Sequence, residues 1–151
     1  MLERNTGLPT MIENKKILIF TDAASPQING VVNTLKNTVD ELEKMGIEAK
    51  LVTPHNFKTI PFIFYPDIDF SITNTGKMKK IIKSENPDYI HIATEGPIGL
   101  FAARACKKLN IKYTSSYHTK FPDYVNMRFP FIPKKLVYFY LKSIHENSEI
   151  T

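Results

Sequence analysis

The sequence predicts an α/β domain built on an open parallel sheet with helices on both faces. Two observations carry this. Short apolar runs alternate with stretches whose apolar residues fall three and four apart, and the segments follow one another as βαβ…αβαβ without internal repeats. A chain of 151 residues with 42% hydrophobic and 23% charged residues holds one core of ordinary size, which excludes a disordered or fibrous chain.

Lys15 to Thr21 (KKILIFT) reads as a strand buried on both faces, and it runs into the turn-rich stretch Asp22 to Gly30. From there Val31, Val32, Leu35, Val39, Leu42 and Met45 make one helical face, with Gly46 as the stop. Ile47 to Thr53 is a second strand, so the first fifty or so residues form a right-handed parallel crossover. The pattern lapses over His55 to Phe70, where Pro54, Pro61 and Pro66 interrupt an aromatic-rich segment read as a loop with a short edge strand. A short helix over Thr75 to Ser84 turns Met78, Ile81 and Ile82 inward and Lys77, Lys79, Lys80 and Lys83 outward, and Pro87 closes its connection to a third strand, Asp88 to Ala93. Pro97 opens the next helix, with Ile98, Phe101, Ala102, Ala105 and Leu109 as its apolar face, and Ile111 to Ser116 is a fourth strand.

Composition narrows the function. The 20 basic and 15 acidic residues leave a net charge of +5, and the lysines are scattered, which argues against nucleic acid and suits an anionic membrane surface or a phosphorylated small molecule. The single Cys106 excludes an internal disulfide and reads as a small buried thiol. No apolar run approaches the roughly 20 residues that span a bilayer, and the first 14 residues carry no secretory signal, so the expected location is the cytoplasm. His55, His91 and His145 have no ligand spacing, and Asp67-Ile68-Asp69 reads as an exposed acidic turn before a metal site; no metal is expected.

In open parallel sheets ligands collect at the carboxyl ends of the strands, which singles out three loops. In the first, Asn29 and Gly30 stand directly before a helix, whose amino-terminal N–H groups face either an anion or merely a chain turn. Neither G-x-G-x-x-G nor G-x-x-x-x-G-K-[ST] is present, which disfavours a dehydrogenase or a P-loop kinase. In the second, Glu95 accepts sugar hydroxyls or caps the following helix. In the third, Tyr117, His118 and Lys120 offer a phenol, an imidazole and an ammonium to a polar ligand, the alternative for His118 being a structural histidine.

The stretches T-D-x-x-x-P-x-x-N-G-V-V, from Thr21, and Y-H-T-x-F-P-x-Y, from Tyr117, within a match from Ile17 to about Asn147, resemble the amino-terminal domain of glycosyltransferase family 4, and most nearly its mannosyltransferases and glycolipid-forming members. The resemblance implies the Rossmann-like amino-terminal half of a two-domain GT-B fold and hexose transfer from a nucleotide sugar with retention, without a metal or other cofactor. It further implies that Gly30 and Val31 approach the donor pyrophosphate, that His118 lies beside the transferred sugar as the catalytic residue, and that Glu95 and Lys120 line the acceptor side; Asn29 and Tyr117 complete the expected substrate-binding residues. The expected partners are a nucleotide-sugar donor and a lipid or carbohydrate acceptor, with peripheral attachment to the inner face of the membrane. The expected organisation is a polar arm over 1–14 and a truncated family 4-like domain over 15–151. The family's E-x7-E pair has no counterpart here, so the carboxyl-terminal donor-binding domain is expected to be missing and the chain inactive alone. A non-catalytic membrane-surface or ligand-binding remnant, suggested by the Lys-rich helix and the aromatic segments Phe57 to Tyr65 and Phe129 to Tyr140, is the competing reading.

Overall fold

The computed structural model describes residues 14–24, 30–62, 65–117 and 130–149. A four-stranded parallel sheet has the order β2-β1-β5-β6, where β1 is Lys16–Phe20, β2 is Glu48–Val52, β5 is Tyr89–Ile92 and β6 is Thr114–Ser115. The period of two in β1 divides its side chains between two layers. Leu18 and Phe20 face one cluster, and Ile17 and Ile19 face the other.

On the Ile19 face lies α1, Gly30–Lys44, which packs Val31, Leu35, Val39 and Leu42 against the sheet, as the three-and-four spacing predicts. Gly46, at φ 77°, takes the left-handed turn that ends it. Among the described residues the opposite face carries three helices. The central one is α3, Pro97–Leu109, flanked by α2, Thr75–Glu85, and by α4, Lys134–His145. Because α3 touches the sheet and both neighbours, its buried side extends past the predicted stripe to Gly99, Ala103 and Cys106. Burial pushes the Cys106 thiol up to about 12, which makes it an inert core group. Asn86 and Asn110 end α2 and α3 in the left-handed conformation that asparagine tolerates.

Three expectations are corrected. The segment His55 to Phe70 is not a loop: a 3-10 turn, Pro54–Asn56, leads into an antiparallel hairpin of β3, Lys58–Phe62, and β4, Tyr65–Ile72. Pro61 is tolerated because this two-stranded sheet leaves each strand an unpaired edge, and a register shift follows it. The backbone of Asp67 to Asp69 therefore lies in a strand and is no acidic turn. The fourth strand shrinks to Thr114–Ser115, since Ile111 and Lys112 are exposed; Tyr113 adds one isolated parallel bridge to Ser148. The aromatic stretch after Pro130, to which no element was assigned above, holds the helix α4, whose buried Val137, Leu141 and Ile144 have helical spacing.

At the amino-terminal edge of the sheet, charges tie strands to loops. Lys16 Nζ lies 2.8 Å from Glu85 and 3.1 Å from Glu48, while the Lys16 N–H donates to Asp88 at 2.8 Å. The Lys16 ammonium holds the Glu85 carboxyl below its ordinary range, and the Lys16 backbone N–H does the same for Asp88. Because folding lowers both values, their stabilisation is complete above the unfolded carboxylate range and fades as pH falls through the lowered ones. Urea titrations from about pH 6 to about pH 3 should therefore show a smaller loss of stability for Glu85→Gln than for the parent, which starts out the more stable.

Candidate functional site

Because β1, β5 and β6 are adjacent and parallel, the loops leaving their carboxyl ends are neighbours, spaced by roughly the 4.8 Å of sheet strands. Asp22, the second residue past β1, reaches across to the turn after β5. Its carboxylate accepts from the Ile98 N–H at 2.8 Å, the Gly99 N–H at 3.3 Å and the Thr94 hydroxyl at 2.9 Å. Its own N–H donates to Thr94 Oγ1 at 2.7 Å. The helix α3 is thus capped by a residue from the loop after β1, and neither Gly96 at the cap position nor Glu95 does so. Burial pushes the Asp22 carboxyl above its ordinary value, against the opposing pull of the bonds from Ile98, Thr94, Gly99 and Gly96.

The fit is close enough to dictate two glycines. A Cβ on Gly96 would stand 2.3 Å from the Asp22 carboxyl carbon, and one on Gly99 would stand 1.9 Å from the Thr94 carbonyl oxygen. Glu95, between Thr94 and Gly96, is thereby turned inward and is only 7% exposed. Its Oε1 lies 3.8 Å from His145 Nε2 on α4, and both atoms are buried without a hydrogen-bond partner. Tyr140, one turn back along α4, donates its hydroxyl to the Glu95 carbonyl. Burial raises that phenol well above its ordinary value.

His145 also joins the third loop. Its Nδ1 is 2.8 Å from Ser115 Oγ, and the ring of Tyr117 meets it edge-on with centroids 6.0 Å apart. His91, inside β5, contacts Thr114 Oγ1 at 2.8 Å and Ser116 Oγ at 2.9 Å, so both ring nitrogens are used within the sheet. The structure therefore brings Glu95 and Tyr117 together through His145. Gly30 and Val31 open α1 on the same edge, and nothing lies within 4 Å of where a Gly30 Cβ would point. Asn29, His118 and Lys120 lie outside the described residues.

Two residues of this site escape a reading by sequence. Asp22 sits in a turn-rich stretch, and its acceptor role depends on donors more than seventy positions away. His145 has no ligand spacing because its partners, Ser115 and Glu95, come from other elements; its place on the buried side of α4, directly after Ile144, was the one signal available. Among the described residues no group of three or more His, Cys, Asp and Glu is placed to hold a metal.

A parallel sheet covered by helices on both faces defines a Rossmann-like α/β domain. The family model Glycosyltransferase Family 4 matches residues 28–149, and the chain belongs to that family. It is similar to an alpha-monoglucosyldiacylglycerol synthase of Streptococcus pneumoniae, with 29% identity over 124 residues that cover 74% of this chain and 28% of that protein. It also resembles a sulfoquinovosyl transferase of Arabidopsis thaliana, at 24% identity over 74% of this chain and 24% of that protein. A GDP-mannose-dependent alpha-mannosyltransferase of Mycobacterium tuberculosis is 20% identical over 74% of this chain and 34% of its own length. The chain thus spans about a third or less of these relatives. The UDP-GlcNAc 2-epimerase of Methanocaldococcus jannaschii superposes with a TM-score of 0.50 at 19% identity, covering 86% of this chain and 37% of that one, a likeness of fold.

The Asp22 clasp predicts its own test. Asp22→Ala leaves the Ile98 and Gly99 N–H groups without their acceptor and should lower unfolding free energy by about 1–3 kcal/mol in urea denaturation. Asp22→Asn, which keeps one acceptor oxygen and gives up the buried charge, should lose less.

Proposed function

We propose that this chain is the acceptor-side domain of a retaining glycosyltransferase, moving a hexose from a nucleotide sugar to a lipid or sugar acceptor together with a donor-binding domain. The observation that carries the reading is that the family match, over residues 28–149, starts just before α1 and runs through the loops after β5 and β6, which lie at the same sheet edge as the start of α1. The amino terminus of α1, with the N–H groups of Gly30 and Val31, is suited to a pyrophosphate, and Asn29 directly precedes it. Glu95 and Tyr117 supply a carboxylate and a phenol on the acceptor side, with Lys120 close after Tyr117 in sequence.

In this reading His118 orients donor and acceptor at the reacting carbon. The acceptor oxygen attacks from the face the leaving phosphate departs, and that phosphate takes the acceptor's proton, so the protein positions the reactants and stabilises charge. No metal is assigned a step. Transfer from labelled nucleotide sugars, measured with the chain joined to a complementary donor-binding domain, should fall by about a hundredfold or more in His118→Ala. Transfer unchanged in that variant, or none from any nucleotide sugar, would remove the catalytic reading.

Peripheral attachment to an anionic membrane belongs to the same proposal and is favoured by α4. Phe131 is 78% exposed, Phe139 73%, and Tyr138 is also exposed, in a segment that carries Lys134, Lys135 and Lys142. Aromatic rings among lysines suit the interface of an anionic bilayer. Phe57, by contrast, packs against the core and offers nothing to a membrane. No helix among the described residues is long and apolar enough to cross one. Sedimentation with vesicles should show binding that rises with anionic lipid content and drops roughly tenfold in Phe139→Ser. Binding indifferent to anionic lipid would sink the idea.

A further inference from the structure

The chain leaving β2, the edge strand farthest from β6, forms one wall of a cavity of about 540 Å³ whose other wall is α2. This volume falls within the range of roughly 300–1,000 Å³ usual for small-molecule sites. Lys58 at the start of β3 and Lys77 and Lys80 of α2 bring three ammonium groups to its lining, and His55 completes the rim. Lys77 and Lys80 stand three apart and so share one face of the helix. Among the described residues no acidic side chain lines the cavity.

Five lysines elsewhere are paired: Lys15, Lys16, Lys44, Lys50 and Lys112 each reach a carboxylate oxygen at 2.5 to 3.1 Å. Lys58 and Lys80 have no such partner among the described residues. Lys77 Nζ donates to the Ile72 carbonyl at 3.4 Å, which leaves its charge without a counter-ion. Three like charges around one hollow repel one another, and an anion between them turns that repulsion into attraction. Asn56 adds to the same chemistry. Its Oδ1 accepts from the Thr53 N–H at 2.8 Å, so its N–H groups are what remain for a ligand. A lining rich in donors and empty of carboxylates matches the several acceptor oxygens of a phosphate. Phe57 and Ile81 supply an apolar part, half-buried against the core and lining the same cavity. A bare anion gains little from that surface, whereas the organic body of a phosphate ester is held by it.

We propose that this cavity binds the phosphate monoester of a soluble small molecule, at a site separate from the turn that carries Glu95. The dianionic head lies among Lys58, Lys77 and Lys80, and the organic body covers Phe57 and Ile81. The inference stands on the cavity alone and is independent of the transferase reading.

Phenyl phosphate is the probe, and isothermal titration calorimetry of the full chain follows its binding in a phosphate-free buffer at about pH 8, where the monoester is dianionic and lysines are charged. Saturable binding to one site is expected at about 0.15 M salt, tighter than that of inorganic phosphate. It should weaken by about tenfold or more in the double variant Lys77→Gln, Lys80→Gln. Both side chains are exposed, so the variant should keep the parent's circular dichroism and thermal transition. Lys83→Gln, on the same helix but outside the lining, should leave binding within about twofold of the parent. Absence of saturable binding, or binding that survives the double variant in folded protein, overturns the proposal. An equal loss in Lys83→Gln also overturns it, since net charge and not the cavity would then hold the anion. Inorganic phosphate binding as tightly as phenyl phosphate does the same, because Phe57 and Ile81 would have no part. Binding confined to phosphatidic acid vesicles and lost in the double variant overturns it in favour of a membrane contact by α2.

Discussion

The site depends on one carboxylate. Asp22 leaves the central strand β1 and closes on the first turn of α3, satisfying N–H groups that a buried helix start would otherwise leave without partners. That start is placed against the sheet with little room, because Gly96 and Gly99 allow contacts that a Cβ would prevent. The burial of a charge is unfavourable and pushes the Asp22 carboxyl above its ordinary value, and the three donors Ile98, Thr94 and Gly99 around the carboxylate offset it. The same clasp joins the loop after β1 to the loop after β5, so two of the three ligand-side loops have a common geometry.

What the clasp does to Glu95 follows from chain connectivity. With Thr94 and Gly96 both held against Asp22, the residue between them has one direction left, toward α4. There it meets His145 and is covered by Tyr140. A carboxylate that would cap a helix in a looser turn becomes an inward-facing group with an unpartnered oxygen. His145 extends the same connection to Ser115 and Tyr117, so the third loop is tied to the second through the last turn of α4. The helix thereby acts on two surfaces at once, its buried side supporting the loops and its outer side presenting aromatic rings and lysines.

The two edges of the sheet divide the electrostatics. Lys16, Glu48, Glu85 and Asp88 pair at the amino-terminal edge, where the charges are partly solvated and contribute modestly to stability. The carboxyl edge keeps polar groups whose hydrogen-bonding capacity is incompletely used, Glu95 and His145 foremost. Such a division fits a scaffold in which one end is closed by structural pairs and the other is kept for ligands.

Much of the fold was legible because its signals are local. The apolar run of β1, the spacing of α1, Pro97 at the first turn of α3 and Gly46 at the end of α1 each act within a few residues, and each element stands where its pattern predicts. The resemblance to family 4 likewise resides in contiguous stretches that a linear reading can see. The hairpin of β3 and β4 was obscured by its prolines, which an edge strand tolerates and a central strand does not. The roles of Asp22, Glu95 and His145 lay beyond the sequence, because each partnership spans elements far apart in the chain and exists only once the sheet order brings β1 beside β5 and packs α4 on α3. Sequence by itself determined the elements from β1 to β2 and from α2 to α3 and which loops carry polar groups. Tertiary structure alone decided which carboxylate caps α3 and which turns inward, since that choice depends on contacts that close loops of more than seventy residues and leave no local pattern.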